Sequence, residues 1–387
     1  MISKFRIGVL VIILNFFVSV AATWGQDDPS LLQMAVPSLN IAPDARGGGM
    51  GDMGASTLPD INSQYWNAAK YAFMGSKAGV SLSYTPWLRK LVNDVALVNM
   101  TGYYKLGNSD LQAVSASLRY FSLGEVNIWE NMGDVTYGLN PYEMAFDVAY
   151  SRKLSESYSM AVTLRYIRSD MGTDQHDESY AGNAFAADIS GYLEKYVLMG
   201  NAEALWSFGF NLSNIGSKIS YDGGNTNQYL PAKLTLGTGL LYPIDDYNQI
   251  GFYLDLNKYM VPYAPQKKEG ETDTDYQARV EDYKSWSSIS GMMKSFTDSP
   301  NGLLKEIMVS VGAEYSYNEQ FFVRGGYFYE NANVGNRKYF SVGAGFRMSV
   351  FQLDAAYLIS TVPQNPLDQT LRFSLSFDMD GIKNLFR

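Results

Sequence analysis

The feature that most constrains this chain is a period-two alternation carried through most of its length. Val80, Leu82 and Tyr84 alternate with Ser81 and Ser83, and Val114, Ala116, Leu118 and Tyr120 alternate with Ser115, Ser117 and Arg119. Successive side chains of a strand point to opposite faces, so each run has one apolar and one polar face. The beat recurs from Met144 to Tyr150, Tyr158 to Tyr166, Trp206 to Leu212, Ile250 to Leu256, Phe340 to Met348, Phe351 to Ile359 and Leu371 to Phe377. The chain reads as all-β, with roughly fourteen strands.

A soluble sandwich and a membrane barrel both offer strands with one apolar face, and the connections separate them. Short connections fall at about 106–109, 154–157, 195–202, 244–247, 317–319 and 349–350, and longer ones at about 86–91, 122–142, 169–181, 214–231, 259–303, 331–337 and 362–368. Short turns on one side and long loops on the other are the asymmetry of a transmembrane antiparallel β-barrel, with turns in the periplasm and loops outside. An even strand number puts both chain ends in the periplasm. Tyr84, Tyr103, Tyr120, Tyr150, Tyr166, Tyr192, Tyr242 and Tyr329 fall near strand ends, where interfacial girdles are expected. The composition agrees, with 35 glycines, 29 tyrosines, 20 phenylalanines and 18% charged residues.

Lys4 and Arg6 precede an apolar run from Ile7 to Val20 and then small residues at Ala21, Ala22 and Gly25, the layout of a secretory signal peptide over 1–25. That run is too short to span a bilayer, and no later apolar stretch approaches the length of a membrane helix. Cysteine is absent, which leaves no disulfide and no thiolate metal site. A net charge of −9 argues against nucleic acid as a partner.

Between the signal and the first strand, Ile41 to Phe73 reads as neither helix nor strand. It holds five glycines and ends in Tyr65, Trp66 and Tyr71, whose apolar area must be buried. We read 26–76 as an amino-terminal segment with a compact irregular plug for the lumen, 77–380 as the barrel and 381–387 as a periplasmic tail. Arg119, Asp147, Arg165, Asp188, Asp255, Glu314, Arg324, Arg347, Asp354 and Arg372 lie on the polar strand face, which parity assigns to the lumen. There they either line a polar path or pair with one another and with plug residues Asp44, Arg46, Asp52, Asp60 and Lys70. Trp66 and Asn67 belong to the same plug.

The loop 259–303 opens with a charged segment and continues through YKSWSSISGMMKSF, where Tyr283, Trp286, Ile289, Met292, Met293 and Phe296 could line one side of a short helix. That helix is expected either to offer a contact surface or to fold back over the barrel mouth.

No catalytic constellation emerges. Gly49, Gly51 and Gly54 fit a dinucleotide-type spacing, but Pro43 before and Pro59 after remove the strand and helix that motif needs. His176, the single histidine, lies in the polar stretch GTDQHDES, with no serine elbow to serve. Neither a metal nor a cofactor is expected, and the chain is expected not to be an enzyme.

The blocks IAPDARGGGMGDMGAS, SLSYTPWLRKLVND, VSASLRYFSLGEV, NPYEMAFDVAYSRKLSE, GFNLSNIGSKISY, LPAKLTLG and GGYFYENANVGNRKYFSVGAGFR resemble successive motifs of the PorV (LptO) family of the type IX secretion system in the Bacteroidetes. The resemblance covers nearly the whole mature chain. A W-N-P-A type box is shared more loosely with barrels of the FadL long-chain fatty acid transporter type, and here Ala68 stands in place of its proline. The resemblance implies a FadL-like barrel in the outer membrane, among its lipid and lipopolysaccharide. It further implies a shuttle that takes cargo bearing carboxy-terminal signal domains from the translocon SprA (Sov) to the sortase PorU, and anchors PorU with PorQ and PorZ. Catalysis would belong to PorU. Trp87, Trp129, Tyr283, Trp286, Met292, Met293 and Phe296, in the outside loops, are expected to contact partners. Transport of hydrophobic molecules, and a lipid A O-deacylase implied by the second family name, are the alternatives.

Overall fold

In a computed structural model the described residues are 32–379, apart from 90, 91, 93, 108, 109, 132, 133, 174–178, 225, 301, 364 and 366. The expected signal peptide, the tail 381–387 and His176 lie outside the described residues.

Fourteen strands close into one antiparallel barrel. The first half of the chain forms β1 (Ala78–Pro86), β2 (Ala96–Leu106), β3 (Gln112–Ser122), β4 (Val126–Asn131), β5 (Asp134–Leu139), β6 (Tyr142–Lys153), β7 (Tyr158–Thr173) and β8 (Ser179–Met199). The second half forms β9 (Ala202–Gly216), β10 (Lys233–Pro243), β11 (Asn248–Tyr259), β12 (Met308–Tyr317), β13 (Phe321–Tyr329), β14 (Lys338–Arg347), β15 (Phe351–Ser360) and β16 (Leu371–Asp378). Each wall strand pairs with its neighbours in sequence, and β1 closes the ring on β16, with Leu82 opposite Met100 on one side and Leu375 on the other. β4 and β5 form a separate hairpin within the connection from β3 to β6, where the sequence suggested only a long loop.

Burial is inverted relative to a soluble sandwich. Leu82 is 52% and Leu164 65% exposed, while Ser81, Ser83 and Thr163 are buried. The apolar faces therefore point outward as a continuous band, and the closed ring leaves no strand edge unpaired, which is what a lipid environment requires. Tyr84, Tyr120 and Tyr150 stand exposed on this outer face. Tyr103 and Tyr192 do not, contrary to the girdle expectation. Both have lumenal parity and are buried, Tyr103 stacking on Tyr71 at 5.0 Å and Tyr192 meeting Phe73 edge-on at 5.5 Å.

The connections are sided as expected, although β8 and β9 run further than the sequence suggested and leave only 200–201 as their turn. The connection 260–307 holds two helices rather than one, α3 (Asp273–Ser285) and α4 (Ser288–Thr297), separated at Trp286. Thr272 and Ser287 start them, each accepting the backbone N–H three residues on.

Residues 35–73 lie inside the ring. This segment is not free of helix, contrary to expectation: it winds through helical turns at Pro37–Asn40, Ala45–Gly48 (α1), Ser63–Trp66 (α2) and Ala68–Phe73. Turns this short carry no readable periodicity in sequence. Caps at Asp44 and Asn67 define two of them, since the Asp44 carboxylate accepts from Gly47 N–H and the Asn67 side chain from Ala69 N–H.

Candidate functional site

The lumen is built around contacts between this inner segment and the polar face of the wall. Arg46 forks onto Glu314 of β12, with Nη2 2.8 Å from Oε1 and Nε 3.1 Å from Oε2, while its Nη1 reaches Asp60 at 2.7 Å. Glu314 also accepts from Arg324 of β13 at 2.5 Å, and Arg324 continues to Asp354 of β15 at 2.5 Å. Charges alternate along the resulting chain of five, so no member is left buried without an opposite partner.

Three further contacts hold the segment at other points of the circumference. Asp52 pairs with Arg372 of β16 at 2.8 Å and accepts from the Tyr339 hydroxyl at 2.6 Å. Asp255 of β11 accepts from the backbone N–H groups of Gly54 and Ala55, at 2.9 and 3.0 Å. Arg119 of β3 donates to the Ser38 carbonyl at 2.9 Å and sits over the Tyr65 ring, while Glu143 of β6 accepts from Ser38 N–H at 3.1 Å.

Not every residue singled out in the sequence reaches across this boundary. Asp147 and Arg165 pair within the wall at 2.6 Å, with Asp188 joining at 2.9 Å. Lys70 stays within the inner segment, donating to the Gly54 carbonyl and the Thr57 hydroxyl at 2.9 and 3.0 Å rather than to a wall carboxylate. Asp44 also stays inside, accepting the Trp66 indole N–H at 2.6 Å. Asn67 spans both, donating to Ala55 within the segment and to Gly191 of β8, each at 2.9 Å. Burial is the main reason that Asp44 is pushed up to about 6 and Lys70 down to about 8.

Two cavities flank the inner segment. The one at the loop end has a volume of about 690 Å³, with apolar walls that include Trp87, Val95, Phe121, Leu123 and Leu358, and a floor at Asp52, Tyr339 and Arg372. The one at the turn end, about 360 Å³, is lined in part by Arg46, Asp60, Arg347 and Asp354. This loop-end vestibule was not anticipated from sequence, because its walls come from connections far apart in the chain.

The residues expected to contact partners divide. Trp87 packs beside Ile41, Val95, Leu97 and Phe121, and so lines the vestibule. Tyr283 and Trp286 are half-buried, Tyr283 meeting Tyr229 edge-on at 5.7 Å. Met292 is half-buried, whereas Met293 and Phe296 are exposed. Trp129 lies on β4, and its side chain is outside what is described.

A family model described as "Type IX secretion system protein PorV" matches residues 25–267. Among solved structures, the toluene transporter TodX of Pseudomonas putida aligns with a TM-score of 0.52 at 10% identity, over 86% of this chain and 96% of that chain. The toluene transporter TbuX of Ralstonia pickettii aligns with a TM-score of 0.46 at 12% identity, over 88% of this chain and 99% of that chain. A FadL homologue of Pseudomonas aeruginosa gives 0.46 at 12% identity, over 90% and 99%. At 10% identity the likeness to TodX is one of fold alone. A search of curated proteins gave no match. The family match spans more than half of the chain and agrees with a wall whose apolar face looks outward: the chain belongs to the PorV family of type IX secretion system proteins and is an outer-membrane β-barrel.

Proposed function

We propose that this protein is a non-enzymatic carrier and anchor in type IX secretion. It binds cargo bearing carboxy-terminal signal domains at the SprA (Sov) translocon, shuttles it to the cell-surface sortase PorU and, with PorQ and PorZ, anchors the attachment complex. Family membership supports the system, and one observation favours carriage over passage. The lumen is filled by a segment clamped to wall strands around the ring, with the ion pairs Arg46–Glu314 and Arg372–Asp52 buried among them. A barrel that works through its outside loops can keep its lumen permanently filled.

Purification of a tagged copy from outer membranes in mild detergent, followed by mass spectrometry, tests the proposal. Recovery of a sortase together with secreted proteins sharing one carboxy-terminal domain supports it. Recovery of the barrel alone with a bound apolar molecule favours a second reading, transport of hydrophobic compounds. The observation behind that reading is the apolar-walled vestibule of about 690 Å³. A deacylase would need His176 or a loop serine, and loss of activity on changing either would support it.

A further inference from the structure

We infer that helix α4 and the Leu303–Leu304 pair are seated in the outer leaflet of the membrane, so that loop 260–307 is a lipid-gripping collar on one flank of the barrel. Lys258 marks where this helix sits. It belongs by parity to the outward set of β11 with Phe252, Leu254 and Leu256, two residues beyond Leu256 toward the loop end. A lysine at the rim of the apolar band would be expected in water, yet this one is buried. Its ammonium lies 5.2 Å from the Phe296 ring centre and 2.7 Å from Glu306. The end of α4 therefore lies over the outer wall at the upper edge of the lipid-facing band, not over the lumen.

The faces of α4 show which way it looks. Gly291 and Ser295 are buried, and Gly291 packs so tightly against Tyr229 that a Cβ there would lie 2.7 Å from its ring. Ile289, Met293 and Phe296 follow at i, i+4 and i+7, one stripe beside that buried face. Ile289 and Met293 are each 67% exposed. The remaining side carries Ser290, Lys294 and Thr297. A little further along, Leu304 is 84% exposed just before β12, whose Val311 belongs to the outward band. One protein-facing side, one bare apolar stripe continuous with a lipid-facing wall and one polar side form the pattern of a helix lying in a membrane interface. The occupant is lipid rather than protein because the stripe adjoins a wall already bathed in acyl chains.

The chain has no cysteine, so single cysteines can be spin-labelled without background. Ile289→Cys, Met293→Cys, Leu304→Cys, Thr297→Cys and the mid-wall Leu164→Cys would be reconstituted as full chains in dimyristoylphosphatidylcholine vesicles. Collision with oxygen, which partitions into lipid, would be compared with collision with a water-soluble nickel chelate. The expected oxygen-to-nickel ratio at 289, 293 and 304 is several-fold above that at 297 and below that at 164. Ratios at 289, 293 and 304 equal to that at 297, with 164 still lipid-like, would overturn the inference and leave the stripe free for a protein. A water-like ratio at 164 would overturn the bilayer position of the wall, and the collar with it.

Discussion

Gly312 and Gly326 face each other across β12 and β13, and both touch Met50 of the inner segment. A Cβ on Gly326 would lie 2.1 Å from the Met50 carbonyl carbon, and one on Gly312 2.6 Å from its oxygen. The wall is bare where the inner backbone comes closest, and relief there needs backbone movement rather than a rotamer change. Gly326→Val should therefore dislodge the inner segment while the barrel still closes. Limited proteolysis of the refolded variant should cut between residues 40 and 70, where the parent resists.

Arg46 and Glu314 supply the second test. Glu314→Ala leaves Arg46 and Arg324 short of a shared buried carboxylate, and removing one partner of a buried pair typically costs about 3–5 kcal/mol. The urea midpoint in detergent micelles should fall accordingly. The double variant Arg46→Met, Glu314→Ala should lose less than the sum of the two single changes, since the residues are in contact.

The inner segment should also make stability depend on pH. Asp44, pushed up to about 6 from an ordinary 3.8 chiefly by burial, favours folding in its protonated form. Its contribution is full below the ordinary value and is lost as pH rises through about 6. Lys70, pushed down to about 8 by burial, favours folding when neutral, so its penalty lifts as pH climbs from about 8 toward 10.5. The urea midpoint should rise between about pH 7 and pH 5, and Asp44→Asn should remove most of that rise.

Parity on β7 gives a direct check of which face meets lipid. Leu164→Arg places a charge on the outer band, at a cost of about 2–4 kcal/mol if it sits near the bilayer midplane. Thr163→Ser, one residue away on the lumenal face, should change little. Folding yield into lipid vesicles, read by the heat-dependent gel shift, should separate the two.

Much of this architecture is legible in the sequence because a membrane barrel writes its geometry as alternation. Leu82 between Ser81 and Ser83, and Asp147 between Phe146 and Val148, already state both the strand and its two faces. Loop length supplies the sidedness. Adjacent tyrosines defeat the pattern: Tyr103 and Tyr104 face opposite ways, and nothing local says that Tyr103 turns inward to stack on Tyr71. The partners of the inner segment were legible as a set of polar residues but not as pairs, because Arg46 and Glu314 are brought together only by closure of the whole ring. The vestibule and the outer seat of α4 depend on long connections, whose paths follow no periodicity.

The most direct test of carriage through the outer surface is to fix the inner segment in place. A Cβ built on Gly49 lies 3.4 Å from Cβ of Ala356 on β15, close to the separation of about 3.5–4.5 Å that a disulfide spans. The variant Gly49→Cys, Ala356→Cys would be expressed as the sole copy, its crosslink verified, and attachment of cargo to the cell surface measured with and without reductant. The expected result is normal attachment with the crosslink intact. Loss of attachment that reductant restores would contradict it and show that the inner segment has to move.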